Sequence, residues 1–348
     1  MNNLSTLGLD LGGAHLKAAL LDGHGTARWV MQLPCPLWRG LEHLQRALDE
    51  VLARLAGVRT HCAITMTGEL ADIFRDRSDG VSQLTATVAQ RLAPENMSIY
   101  AGARGFVTTA QVEEYATDIA SANWLASAEF IAAQTSEGLV VDIGSTTTDM
   151  LVIHQGKALP RGFSDAERLR TQELVYTGVV RTPVMALAQH IPFNGEWQGI
   201  AAEHFATMSD VYRLTGELEE AHDMSDTADG AGKTPQDSAR RLARMVGRDL
   251  QEAGMADWQC LAAAFKRAQL RLLQDAAERS ISRGLVADHA PLIGAGAGRF
   301  LARQLALQLG RAYVDIADLV SGEPDVRQWA AVCMPAYAVA WLASRGKR

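Results

Sequence analysis

The chain has 348 residues, enough for two domains of ordinary size, and its 48% hydrophobic content supports a sizeable core. A net charge of −7 excludes a general nucleic-acid binder, which needs a basic surplus. Anionic small molecules stay open, because backbone N–H groups bind anions locally whatever the overall charge.

Residues 1–6, MNNLST, lack the basic run that opens a secretory leader. No apolar run reaches the roughly 18–20 residues that span a bilayer. Cys35, Cys62, Cys260 and Cys333 are scattered, with no C-x-x-C pair and no His at metal-ligand spacing. Reduced, mostly buried thiols and a cytoplasmic location are therefore expected.

In chain order, STLGLDLGGAHLKAALLD (5–22) reads as an apolar strand running into Asp10, a turn on Gly12 and Gly13, and a returning strand. GLEHLQRALDEVLARL (40–55) has apolar residues at helical spacing, and THCAITMTGEL (60–70) is a buried strand ending in a turn. Short strands follow at 97–102 and 105–109. Residues 1–136 thus form a first α/β lobe. At 138 the frame restarts: GLVVDIGSTTTDMLVI runs an apolar strand into Asp142, turns through Gly144-Ser145-Thr146-Thr147, and resumes as a strand. This is an internal repeat in pattern, and 137–348 is expected to be the second lobe. Within it, about 200–283 reads as a helical insertion. One helix is expected over 234–254, with Thr234 as N-cap and Pro235 at its first position, and a second over 259–281. A strand (290–296) and a helix (298–310) then bring back the α/β pattern around a glycine-rich turn.

The two Asp-x-Gly hairpins share a mechanical logic. Glycine turns tightly and brings backbone N–H groups against an anion with no Cβ in the way. Gly12, Gly13, Gly144, Ser145, Thr146 and Thr147 are the candidate phosphate contacts, and His15 and Lys17 flank the first hairpin. Asp10 and Asp142 are candidates for holding Mg²⁺. Ordinary β-turns would use the same residue types. Gly294, Gly296 and Gly298 form a third cluster before a helix, a natural anion site, although the Rossmann pattern fails at Arg299. Glu69 and Asp149 are candidate bases, with helix start and hairpin cap as their structural alternatives. Arg240, Arg244 and Arg248 recur on one helix face and read as solvated surface. Asp223, Asp226 and Asp229 miss the EF-hand spacing and read as a solvated acidic loop.

LGLDLGGAHLK, VVDIGSTTTDM and LIGAGAGRF resemble the phosphate-1, phosphate-2 and adenosine motifs of the actin and sugar-kinase superfamily. The resemblance implies an α/β, two-lobed, ribonuclease H-like duplication with the helical insertion in the second lobe. The chain looks closest to the hydantoinase/oxoprolinase-related branch, and within it to tetrahydromethanopterin-linked one-carbon transfer pathway proteins. MTGELADIF (66–74), SANWLASA (121–128), YTGVVRTPV (176–184), TADG (227–230) and SARRLARMVGRD (238–249) carry this narrower likeness.

It implies a transferase of methanofuran or methylofuran biosynthesis. Such an enzyme joins an aminomethylfuran-methyl diphosphate to the phenol of a glutamyltyramine-type acceptor and releases diphosphate. Mg²⁺ is the implied cofactor, and ATP is not expected to be required. The expected partners are small-molecule diphosphate and phenolic amine substrates, with no nucleic acid, no membrane, and a homodimer left open. The first hairpin carries Ala14 and His15 where kinases place a hydroxyl residue. A nucleotide-hydrolysing enzyme or nucleotide-gated assembly factor of the same superfamily is the alternative. Trp124 in SANWLASA is either core or a wall of the substrate pocket.

Overall fold

A computed structural model describes residues 4–346. Readings that touch residues 1–3 or 347–348 lie outside the described residues.

The elements begin with β1 (Ser5–Leu11), β2 (His15–Leu21), β3 (Ala27–Pro34), α1 (Glu42–Leu55), β4 (Thr60–Met66) and α2 (Arg77–Ala89). Next come β5 (Met97–Tyr100), β6 (Phe106–Val107), α3 (Ala116–Ile119), α4 (Asn123–Ala132), β7 (Glu137–Ile143) and β8 (Thr148–His154). Then follow β9 (Lys157–Ala158), α5 (Asp165–Thr171), β10 (Leu174–Val175), β11 (His190–Phe193), β12 (Glu196–Gly199) and α6 (Met208–Thr215). The remainder is α7 (Pro235–Met245), α8 (Met255–Ile281), β13 (Leu292–Ala295), α9 (Arg299–Gln308), β14 (Tyr313–Asp315), α10 (Pro324–Val332) and α11 (Met334–Ser344).

The chain divides into two compact units, and the division differs from a single cut at 136/137. The first unit takes the described residues up to Gly138, then Ile153–Glu167, and also the chain from Asp315 onward. The second takes Leu139–Val152 and Arg168–Val314.

In the first unit a six-stranded sheet has the order β3-β2-β1-β4-β5-β6. β1 pairs antiparallel with β2 and parallel with β4. Leu7, Leu9, Leu11, Ile64 and Met66 are fully buried, and each such side chain contributes roughly 1.5–3 kcal/mol. The assignment of the C-terminal helices to this unit has a local cause. α11 is alanine-rich and buried along nearly its whole length, and it packs on β1, β2, β4 and α4. A Cβ on Gly8 of β1 would lie 2.0 Å from the Ala336 carbonyl oxygen, so only glycine admits the helix this close. Sequence periodicity says nothing about which sheet an apolar helix covers.

In the second unit a five-stranded sheet has the order β10-β8-β7-β13-β14, with β7 and β13 parallel. The helices α6, α7 and α8 pack on one another beside it, as expected for the helical insertion. Their core includes Tyr212, Leu242, Met245, Trp258, Leu261 and Phe265. The helix expected over 234–254 ends at Met245, because Gly247 takes φ +68°. Its start is as read: the Thr234 hydroxyl accepts from the Asp237 N–H at 3.2 Å.

Candidate functional site

In the first unit, β1 delivers Asp10 to the C-terminal end of an interior strand, where it is buried and opposite Lys17 in register, with 3.9 Å between Nζ and Oδ2. The hairpin closes tightly: the Gly12 N–H donates to the His15 carbonyl at 3.0 Å. That amide is therefore used by the turn itself. Gly13 at the tip is open, since a Cβ there would meet nothing within 4 Å. The His15 side chain is buried, so it is a wall of the hairpin rather than an exposed flank.

The turn after β4 lies directly against this hairpin. Thr67 N–H donates to the Leu11 carbonyl at 3.1 Å, and a Cβ on Gly68 would sit 2.9 Å from the same oxygen. Next comes Glu69, only 1% exposed. Its Oε1 accepts from the Ser121 hydroxyl at 2.7 Å, while Oε2 is buried with no partner among the described residues. Burial pushes its carboxyl above the usual range, and the Ser121 hydrogen bond pulls partly against that. Arg77 donates to Asp165 at 2.8 Å and to Ser121 at 3.4 Å, closing a ring of polar groups around the acid. Ser121 itself sits at φ +52°, an uncommon conformation for a residue with a Cβ. Two residues on, Asn123 donates to Asp10 Oδ1 at 3.5 Å. The SANWLASA and MTGELADIF stretches thus converge on Asp10 and Glu69. Trp124 belongs to the core at 3% exposure, its ring 6.4 Å from that of Phe163.

In the second unit, Asp142 lies at the end of β7, paired with Ala295 of β13. Gly144 N–H donates to the Thr147 carbonyl at 2.9 Å, the same closure as in the first hairpin. Ser145, Thr146 and Thr147 are half-buried, and the Ser145 and Thr146 hydroxyls are 3.4 Å apart. The glycine-rich turn sits on this hairpin. A Cβ on Gly296 would lie 2.5 Å from Asp142 Oδ1, and Gly298 N–H donates to the Ile143 carbonyl at 2.8 Å. Gly294 faces the Tyr313 ring instead, where a Cβ would come within 2.6 Å of the phenol oxygen. It is a packing glycine, turned from the hairpin.

A loop that was not singled out as a site, within YTGVVRTPV, braces the hairpin from another side. Val179 N–H donates to Gly144 O at 3.0 Å, and Val180 and Arg181 N–H both donate to Ser145 O, at 3.1 and 2.8 Å. Burial lowers the Arg181 guanidinium from its usual range. Asp149 is held by Arg168 at 2.7 Å, an arginine whose side chain is 1% exposed.

One surface reading changes in part. Asp223 is buried and bound by Arg213 at 2.7 Å, whereas Asp226 and Asp229 are exposed, Asp229 being bound by Arg241 at 3.0 Å. Arg241 also reaches Asp210 at 2.7 Å, completing a buried ionic cluster. Arg240, Arg244 and Arg248 line a surface hollow of ≈ 200 Å³ and pair with Asp237, Asp229 and Glu252.

Residues 59–321 match the model of the hydantoinase/oxoprolinase family. The chain belongs to that family. It is 31% identical over 246 residues to a Methanocaldococcus jannaschii protein, (4-{4-[2-(gamma-L-glutamylamino)ethyl]phenoxymethyl}furan-2-yl)methanamine synthase, covering 70% of this chain and 72% of that one. A Methanococcus vannielii protein of the same name is 33% identical over 126 residues, 36% of this chain and 56% of that one. Among solved structures, nucleotide-free acetone carboxylase matches with a TM-score of 0.59 at 12% identity, covering 98% of this chain and 70% of that one. At that identity the likeness concerns fold alone, a mixed α/β fold shared with acetone carboxylase. Among the described residues no helix is long and apolar enough to cross a membrane.

Proposed function

We propose that this chain joins an aminomethylfuran-methyl diphosphate to the phenol oxygen of a glutamyltyramine-type acceptor, in cytoplasmic methanofuran or methylofuran biosynthesis. The carrying observation is the 31% identity over 246 residues to the archaeal synthase. In the reaction the furfuryl C–O bond breaks with its electron pair on diphosphate. The phenol oxygen forms the new C–O bond, and its proton passes to a base. Glu69 fits that role better than Asp149. It keeps one buried oxygen without a partner and a raised affinity for protons, whereas Asp149 is committed to Arg168.

In each unit the amides at the hairpin tip would bind phosphate oxygens, joined by Lys17 in the first unit and by the hydroxyls of Ser145, Thr146 and Thr147 in the second. Hard carboxylate oxygens suit Mg²⁺, and the bare Cα of Gly296 beside Asp142 leaves room at that carboxylate. Asp10 in the first unit and Asp142 in the second are each a carboxylate that would hold such an ion, which when bound neutralises charge building on the diphosphate. Diphosphate departure already drives the reaction, so ATP is redundant.

The test is diphosphate release and ether formation by purified protein with Mg²⁺, with ATP omitted and then added. Product formed only with ATP, with ADP accumulating in step, overturns this reading in favour of a nucleotide-hydrolysing enzyme.

A further inference from the structure

We infer that Gln269, at the middle of α8 and remote in sequence from every phosphate motif, is a positioning residue for the second hairpin. The inference rests on the proposed diphosphate site for its catalytic consequence, but not for its structural one.

Gln269 is fully buried on a helix whose other buried side chains are mostly apolar. A polar side chain in that setting is costly unless every group is paired, and here each is. Its Nε2 donates to Thr177 Oγ1 at 2.7 Å and to the Gly178 carbonyl at 2.9 Å. Its Oε1 accepts from the Tyr212 hydroxyl of α6. Chemistry fixes the amide's orientation. A carbonyl can only accept, so the amino group must face Gly178, and the oxygen is left for Tyr212.

What the amide grips is the segment that carries the hairpin. Thr148, the first residue of β8, donates its hydroxyl to the Thr177 carbonyl at 2.7 Å. Gly178 N–H is taken by Thr182 Oγ1 at 2.8 Å. The Gly178 Cα packs so tightly on Gly144, Ser145 and Thr146 that an added Cβ would lie 2.5 Å from each of their backbones. The next three residues then donate to the Gly144 and Ser145 carbonyls. Gln269 therefore fixes the brace, and the brace fixes the carbonyls of Gly144 and Ser145, which orients the adjoining amides toward an anion. A leucine in this place would satisfy packing alone.

The experiment uses the full chain as Gln269→Met and, with a milder change, Tyr212→Phe, which keeps the ring and removes only the hydroxyl. Hydrogen–deuterium exchange is followed over 144–147, and diphosphate binding with Mg²⁺ is measured by calorimetry. Exchange about tenfold faster over 144–147, and diphosphate affinity about tenfold weaker, are expected for the loss of one buried tether. In turnover, KM for the diphosphate substrate should rise while KM for the phenol is unchanged, a split that general destabilisation would not produce. If Gln269→Met does not fold, Tyr212→Phe alone decides the matter. Wild-type exchange over 144–147 in a folded variant overturns the inference. If unsubstituted protein binds no diphosphate, the transferase reading falls instead, and exchange still decides the positioning role.

Discussion

Gly178→Ala gives a sharp test of how the second hairpin is held. The new Cβ would meet Gly144 O, Ser145 C and Thr146 N at 2.5 Å, all main-chain atoms that cannot rotate away. Relief to an ordinary contact of at least 3.4 Å requires the loop and hairpin to part by about 0.9 Å. The bonds from Val179, Val180 and Arg181 to the hairpin carbonyls, now 2.8 to 3.1 Å, would stretch past useful length. Overpacking of this kind costs about 1–3 kcal/mol. A 2 kcal/mol loss in a unit of this size lowers Tm by about 4–8 °C. On the proposed function the larger effect is on chemistry, since a displacement near 1 Å of a substrate-positioning loop costs about 100-fold in rate. Scanning fluorimetry and Mg²⁺-dependent diphosphate release measure the two effects. Gly199→Ala is the control, as its Cβ would meet nothing within 4 Å. A Gly178→Ala protein with wild-type Tm and turnover would refute the bracing argument.

Glu69→Gln mimics the protonated acid that burial favours. A carboxyl with a raised native pKa stabilises the fold below its unfolded pKa and loses that contribution as pH rises through the native value. At neutral pH the variant should therefore melt no lower than wild type, with any advantage vanishing at acid pH, yet be inactive; the acid limb of wild-type kcat/KM should lie above the ordinary carboxylate range. Gly13→Ala meets nothing in the protein and should leave Tm unchanged, while its methyl at the hairpin tip raises KM for the diphosphate about tenfold by steady-state kinetics. Asp10→Asn and Asp142→Asn should each lower turnover by at least about 100-fold while Tm falls by only a few degrees, and unfolding of both would make the carboxylates structural. Cys35, Cys62 and Cys333 are buried and Cys260 is exposed, so mass spectrometry after brief native alkylation should find Cys260 modified first.

The hairpins were legible because their turn chemistry is local: Asp, Gly and hydroxyl residues must appear within a few positions of one another. α7's start was legible for the same reason, from Thr234 and Pro235. Partners distant in the chain were not. Nothing near Glu69 announces Ser121, and nothing near Gly178 announces Gln269, since each pair meets only through tertiary folding. Gly294 looked like its neighbours Gly296 and Gly298, yet it serves Tyr313. Likewise, Asp223 looked solvated because its arginine comes from another element. The apolar stretch of α11 signalled burial but could not name the sheet it covers.

The repeat seen as a pattern in the sequence is a repeat of hydrogen-bonding frame. Asp10 pairs with Thr65 and Asp142 with Ala295, each across a parallel strand pair. In both units the glycine two residues after the aspartate donates to the carbonyl three residues further on. Three residues beyond the aspartate's partner stands a glycine pressed on the residue after that aspartate: Gly68 over Leu11, Gly298 over Ile143. By this register Glu69 corresponds to Arg299. Arg299 opens α9 and turns back to the Gly296 carbonyl at 3.3 Å, whereas Glu69 turns inward and is buried. A buried acid at this position is a cost to the fold that holding its proton relieves, and burial raises the Glu69 carboxyl's affinity for one. In the first unit this acid keeps one buried oxygen without a partner among the described residues while Ser121, at φ +52°, holds the other, whereas the matching position of the second unit is an arginine that opens a helix.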